Sequence, residues 1–247
     1  MHKLSVGFLT AGQRGLDSSL KAALALIAGG IDILEIGVPF SDPVADGQVI
    51  QKATYQSLQL GTTIFDVLNL TKNIRMQTET PIVLFSYYNP ILQAQKKNFF
   101  QCAKQAGVDG ILVVDLPLEE SFPFREECYK EGIAPISVIA PSTPLERIKL
   151  IVKNAKWFIY YACRKGTTGI RQGLPEGFAE KIGVIKSCTS LPVVAGFGIS
   201  SRTTAKEAIK HADGFVVGSF YVAAIENGAN ALELTQLARE INPKIQS

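Results

Sequence analysis

Eight short apolar runs, each followed by a longer amphipathic stretch, constrain this chain more than any other feature. The runs cover residues 5–9, 33–37, 82–87, 110–114, 134–139, 158–162, 192–195 and 214–217. They are almost continuously apolar, as strands covered on both faces must be. The segments at 18–28, 64–77, 98–106, 118–130, 145–154, 178–188, 203–211 and 229–241 carry apolar residues at helical spacing instead. Three junctions repeat a pattern: Gly29-Gly30, Gly107 and Gly132 each stand where a helix must turn left-handed before the next strand. Strict strand-then-helix order argues for parallel pairing through right-handed crossovers. The expectation is a single α/β domain over residues 1–247, an eight-stranded (β/α)8 barrel, with a doubly wound open sheet as the alternative. A length of 247 residues suits one such barrel.

Composition narrows the function classes. The chain is 47% hydrophobic and 19% charged, ample for a core. The net charge of +3 comes from scattered Lys and Arg, with no basic run that would mark nucleic-acid or membrane-surface binding. Residues 1–6 lack the apolar stretch of a signal peptide, and no run approaches the roughly 18 apolar residues of a membrane span, so a cytoplasmic protein is expected. Cys102, Cys128, Cys163 and Cys188 form no CxxC pair and read as reduced packing residues. His2 and His211 are the only histidines, so neither a Ser/His/Asp triad nor a histidine metal site is expected.

The chemistry concentrates in residues 34–47, LEIGVPFSDPVADG. Glu35 is an acid inside an apolar strand, and the Pro/Ser/Asp-rich loop after it delivers Asp42 and Asp46. Burial disfavours a carboxylate's charged form and raises its pKa, which suits a group that must give and take a proton near neutrality. A structural Glu tied to a backbone or Arg partner would produce the same strand, and the further acids in the loop favour chemistry. In a (β/α)8 barrel such groups meet at the C-terminal ends of the strands. The loops after strands seven and eight there commonly bind phosphate, and Gly198, Ser200, Gly218 and Ser219 supply close-approach glycines and donors. Plain turn glycines and helix caps would look alike in sequence.

The string LEIGVPFSDPVADG resembles the signature of the tryptophan synthase α-subunit family. Further pieces match in order: residues 7–12, Tyr87-Tyr88-Asn89-Pro90, Val114-Asp115-Leu116-Pro117, Tyr160, residues 164–169, residues 196–200 and Val217-Gly218-Ser219. The resemblance spans essentially the whole chain and implies a TIM barrel. It implies a lyase of tryptophan biosynthesis that cleaves indole-3-glycerol phosphate to indole and glyceraldehyde 3-phosphate, a reverse aldol reaction with no metal or organic cofactor in this chain. Matched residue by residue, Glu35 would be the acid and then the base, and Asp46 would stabilise positive charge at the indole nitrogen. Thr168, in a glycine-rich lid, would contact Asp46 on closure. Phe8, Phe85, Tyr160 and Phe197 would wall the indole, and Gly169, Gly198, Gly218 and Ser219 would hold the phosphate. A pyridoxal-phosphate-dependent β subunit would be the partner in an αββα heterotetramer with allosteric coupling. Its docking surface would be built on Pro39, Asp42, Pro43 and Asn89, with residues 89–92 as an exposed apolar patch.

Three departures from that family stand out. The helix that usually precedes strand one has no counterpart, which bears on closure of the barrel base. The usual Gly-Asp-Pro reads Gly12-Gln13-Arg14, and the lid reads Gly169-Ile170-Arg171-Gln172-Gly173. Both bear on lid order and coupling. Two rival readings follow: a catalytically weak chain acting mainly as an activator of the β subunit, and a Schiff-base aldolase built on Lys165. That lysine sits beside Arg164 in a loop, away from the desolvated strand end an amine nucleophile needs.

Overall fold

The computed structural model describes residues 3–163, 173–196 and 198–245. Eight parallel strands close on themselves in sequence order. They are β1 (Leu4–Thr10), β2 (Ile33–Gly37), β3 (Ile82–Ser86), β4 (Gly110–Val113), β5 (Ala134–Ile139), β6 (Ile159–Ala162), β7 (Val193–Gly196) and β8 (Gly214–Val217). All eight expected strands are present, with ends shifted by a residue or so. The open-sheet alternative is excluded, because β1 pairs with both β2 and β8.

Alternation along each strand sorts side chains into two cores. Leu34 and Ile36 face the helices, in the same apolar cluster as Leu84, Ile111 and Phe215. Ile33, Val83, Leu112, Ile136, Tyr160, Val194 and Val216 fill the barrel interior. Glu35 has the parity of Ile33 and lies in register with Phe8 and Val83, so its carboxyl points inward.

The outer layer contains α1 (Leu16–Ala28), α2 (Gln48–Gln59), α3 (Ile64–Arg75), α4 (Tyr88–Gln95), α5 (Phe99–Gln105), α6 (Phe122–Lys130), α7 (Leu145–Lys153), α8 (Phe178–Cys188), α9 (Arg202–His211), α10 (Ser219–Glu226) and α11 (Ala231–Ile241). The expected helix over 118–130 is a 3-10 turn, Leu118–Glu120, followed by α6. Three helices have no counterpart in the sequence reading: α2, α4 and α10. Residues 89–92 lie in α4, where Ile91 is buried and only Asn89 and Leu92 are exposed, so they are no continuous apolar patch. Gly30, Gly107 and Gly132 take positive φ at the helix-to-strand junctions.

At the base of the barrel, the segment after α11 is tied to the starts of β1 and β2. The Asn242 amide donates to Gly30 O at 2.9 Å and reaches Ser5 Oγ at 3.4 Å. Lys244 pairs with Asp32, whose carboxylate accepts the Ser5 N–H at 2.6 Å. Arg202 donates to the carbonyls of Asn242 and Ile245, binding the segment after α11 to α9. Cys102, Cys128, Cys163 and Cys188 are free thiols. No helix among the described residues is long and apolar enough to cross a membrane.

Candidate active site

The site is built from strand ends upward. Phe8 and Phe85 reach the barrel mouth from β1 and β3, and their rings meet edge to face at 5.5 Å between centroids. The Phe8 ring covers Gly37, where a Cβ would come within 2.6 Å of Phe8 Cζ. Tyr160 leans over Gly196 in the same way, with its hydroxyl oxygen 2.4 Å from where a Cβ would stand. Only glycine at 37 and 196 leaves the two rings in place. Phe8, Phe85 and Tyr160 are all buried in the interior cluster together with Ile50 and Ala53 of α2 and Val222 of α10.

Glu35 projects into this apolar enclosure with 1% exposure, and neither carboxylate oxygen has a hydrogen-bond partner. The backbone or Arg tether that would make it a structural residue is absent among the described residues. Burial alone raises its pKa from 4.5 to about 8, so the carboxyl holds its proton at neutral pH.

Asp46 arrives from the loop between β2 and α2 and is also buried. Its Oδ2 accepts from Tyr87 Oη at 3.0 Å, while its Oδ1 has no partner among the described residues. Burial raises its pKa to about 6, a rise moderated by the Tyr87 hydrogen bond. Tyr87 also accepts the Ala45 N–H at 2.9 Å, and Gln51 in the first turn of α2 donates to Asp46 O at 2.8 Å. The loop is thus pinned on both sides of the acid. Burial raises the Tyr160 pKa well above its usual value, and the charges of Glu35 and Asp46 raise it further. Both acids therefore lie within electrostatic reach of one phenol. The sequence reading missed Tyr87 as a site residue, although its place just after β3 puts it at the mouth by the strand-end rule.

On the other side of β1, at the end of β8, Gly218 is the residue before α10 and Ser219 its first residue, so the first N–H groups of that helix face the same mouth. Gly218 packs against Phe8, with 3.5 Å between a built Cβ and the ring. Gly198 has a φ of +87°. The cap of α9 is Ser201, whose hydroxyl accepts from Thr204 N, in place of Ser200. Thr168, Gly169 and Phe197 lie outside the described residues.

The expected docking residues divide. Asp42 and Asn89 are exposed and Pro43 is half-buried, whereas Pro39 is buried and presents no docking surface. Pro39 follows directly on β2 and Val38, where the chain is still inside the packed wall. Val44, in the same loop, is 67% exposed.

The tryptophan synthase alpha chain family model matches residues 2–245. A tryptophan synthase alpha chain of Coxiella burnetii is 53% identical over 238 residues, covering 96% of this chain and 93% of that one. A solved tryptophan synthase of Mycobacterium tuberculosis superposes with a TM-score of 0.91 at 31% identity, covering 97% of this chain and 91% of that one. A solved mutant tryptophan synthase alpha-subunit of Pyrococcus furiosus superposes with a TM-score of 0.87 at 37% identity, covering 98% of this chain and 99% of that one. This chain belongs to the tryptophan synthase alpha chain family.

Proposed function

We propose that this chain cleaves indole-3-glycerol phosphate to indole and glyceraldehyde 3-phosphate without a cofactor of its own, and that Glu35 and Asp46 carry the reaction. The reading is carried by two buried carboxyls within electrostatic reach of Tyr160: Glu35, protonated and without a partner among the described residues, and Asp46, anchored by Tyr87 with its Oδ1 unpartnered among them.

Glu35 begins protonated and delivers its proton to C3 of the indole ring, leaving positive charge spread to the ring nitrogen. Asp46 Oδ1, without a partner among the described residues, accepts the indole N–H and stabilises that charge. The Glu35 carboxylate then takes the proton of the hydroxyl on the neighbouring side-chain carbon. The C–C bonding pair returns to the ring, indole leaves, and the hydroxyl carbon becomes the aldehyde of glyceraldehyde 3-phosphate. Glu35 ends as it began, protonated. Two carboxyls held at different acidities by different surroundings suit these two roles. Phe8, Phe85 and Tyr160 give the ring flat apolar walls, with Phe197 assigned the same task. Gly218 and Ser219 at the start of α10 hold the phosphate by backbone N–H groups, together with Gly198 and Gly169. Thr168 contacts Asp46 when the lid closes.

The partner is a β subunit carrying pyridoxal phosphate, in an αββα heterotetramer, which takes the indole on. The test is indole release by the isolated chain and by two variants. Glu35→Gln should abolish it with ligand binding retained. Asp46→Asn should be severely impaired, yet keep more activity than Glu35→Gln. Glu35→Gln activity within a few-fold of the parent would refute the assignment, and the reverse order would mean the roles are exchanged.

A further inference from the structure

Gln13 is nearly fully buried in the loop after β1, and its Nε2 donates to Val222 O at 3.0 Å and reaches Glu226 Oε2 at 3.4 Å. Glu226 is the last residue of α10. Its other oxygen, Oε1, accepts from Gln56 Nε2 at 2.8 Å and from Lys52 Nζ at 2.8 Å. Lys52 and Gln56 lie four residues apart, on one face of α2. Arg14 completes the group by donating to Glu226 O at 3.1 Å, at the open carbonyl end of α10. One carboxylate thus gathers the β1–α1 loop, α2 and α10. Lys52, with Gln56 and Gln13, holds its pKa below the usual carboxylate range, so it is charged at neutral pH.

The two helices it joins each carry half of the site. Asp46 stands two residues before α2, and Gln51 ties that helix to the Asp46 carbonyl. The other helix opens at Gly218 and Ser219. Their shared apolar contact, Ile50 and Ala53 beside Val222, is non-directional and fixes the register between the helices less strictly than polar bonds do. The charged and amide bonds to Glu226 are directional and set the register between them.

We propose that Glu226 is a positioning residue that locks the Asp46 loop to the phosphate end of the site. Gln13 and Arg14, where the family usually has Asp-Pro, extend the lock to the β1–α1 loop. The proposal rests on the reaction assigned above. An error of about 1 Å between reacting groups can cost roughly a hundredfold in rate, so a loosened register should appear in kcat.

The experiment compares the full-length parent with Glu226→Ala, Glu226→Gln, Lys52→Met and the Glu226→Ala/Lys52→Met double variant. Glu226 is a fifth exposed on its side chain, so the folded state should survive its loss. Glu226→Ala should lower kcat about tenfold with KM changed less than threefold and the melting temperature within a few degrees. Glu226→Gln should recover part of the rate. The double variant should be no slower than Glu226→Ala alone. Inorganic phosphate should shift the amide resonances of Ser219 and of Asp46–Gly47 in the parent, but only Ser219 in Glu226→Ala. A Glu226→Ala rate within twofold of the parent, additive losses, or an unchanged Asp46 response would overturn the lock alone. A parent that neither releases indole nor binds phosphate at Ser219 would overturn the reaction and the lock together.

Discussion

The Tyr87 hydroxyl donates to Asp46 Oδ2 at 3.0 Å while accepting the Ala45 N–H at 2.9 Å, so one phenol fixes both the carboxylate and the backbone that carries it. The two residues lie 41 positions apart and meet only because β2 and β3 are neighbours in the barrel. The hydrogen bond also favours the charged form of Asp46 against the effect of burial. Tyr87→Phe should therefore raise the pKa of Asp46 and free its loop. The expected outcome is a loss of roughly tenfold in kcat/KM at pH 7, partly recovered at pH 8. Stability should fall by about 1–2 kcal/mol, the usual cost of stranding a buried partner. A pH–rate profile superimposable on the parent's would show that Tyr87 contributes nothing to the acid.

The two carboxyls set a pH window. Asp46 must be ionised to accept the indole N–H, and its pKa is about 6. Glu35 must be protonated to act first as acid, and its pKa is about 8. The profile of kcat/KM should be bell-shaped, rising through about 6 and falling through about 8. Asp46→Asn should flatten the acid limb and leave the alkaline one. A profile that stays level through pH 9 would contradict Glu35 as the proton donor.

Burying Glu35 also affects folding. Its folded pKa of about 8 lies above the ordinary 4.5, so between those values the unfolded chain loses a proton that the folded chain keeps. Stability therefore falls as pH rises from about 4.5 and levels off above about 8. The difference reaches about 3 kcal/mol at pH 7. Glu35→Gln cannot ionise, so its stability relative to the parent should grow across that interval. Denaturant unfolding of both proteins at pH 4.5, 6 and 8 measures it. Parallel stability curves would mean that Glu35 is ionised inside the fold.

The framework was legible because parallel strands announce themselves as apolar runs. The acids were legible because a carboxyl inside such a run is out of place. What escaped was of another kind. The buried face of α2 is Ile50, Ala53, Thr54 and Ser57, a helical spacing made half of polar residues, so no apolar stripe marks it. In α4, Pro90 reads as a breaker, although a proline in the first turn removes no helical hydrogen bond. The α10 sequence, SFYVAAIE, is apolar almost all round and has no period to detect. Tyr87 with Asp46 and Gln13 with Glu226 are long-range pairs, the second 213 positions apart, and nothing local signals either. Pro39 reads as a loop proline and is buried because the packed wall extends beyond the last residue of β2.

Val44 and Asp42 stand exposed on the β2–α2 loop, Tyr55 is 64% exposed on α2, and Leu92 is 43% exposed on α4 beside Asn89. Asp42, Val44, Asn89 and Leu92 follow the C-terminal ends of β2 and β3, where a second subunit would receive indole without its escape to solvent. Val44 is two residues from Asp46, and the residue between them is held by Tyr87. A partner pressing on Val44 therefore acts on the acid through one peptide unit and one hydrogen bond. Docking should shift the loop toward its ordered form and raise the cleavage rate. Val44→Asp puts a charge where an apolar contact is expected, and should weaken the complex at least tenfold, about 1.4 kcal/mol, while the isolated chain keeps its basal rate. The measurement is co-elution of the purified chain with a β subunit at micromolar concentration, followed by indole release with and without it. Failure of the parent to co-elute would remove the partner. Co-elution without acceleration would remove the activation, and equal binding by Val44→Asp would place the docking surface elsewhere on the barrel.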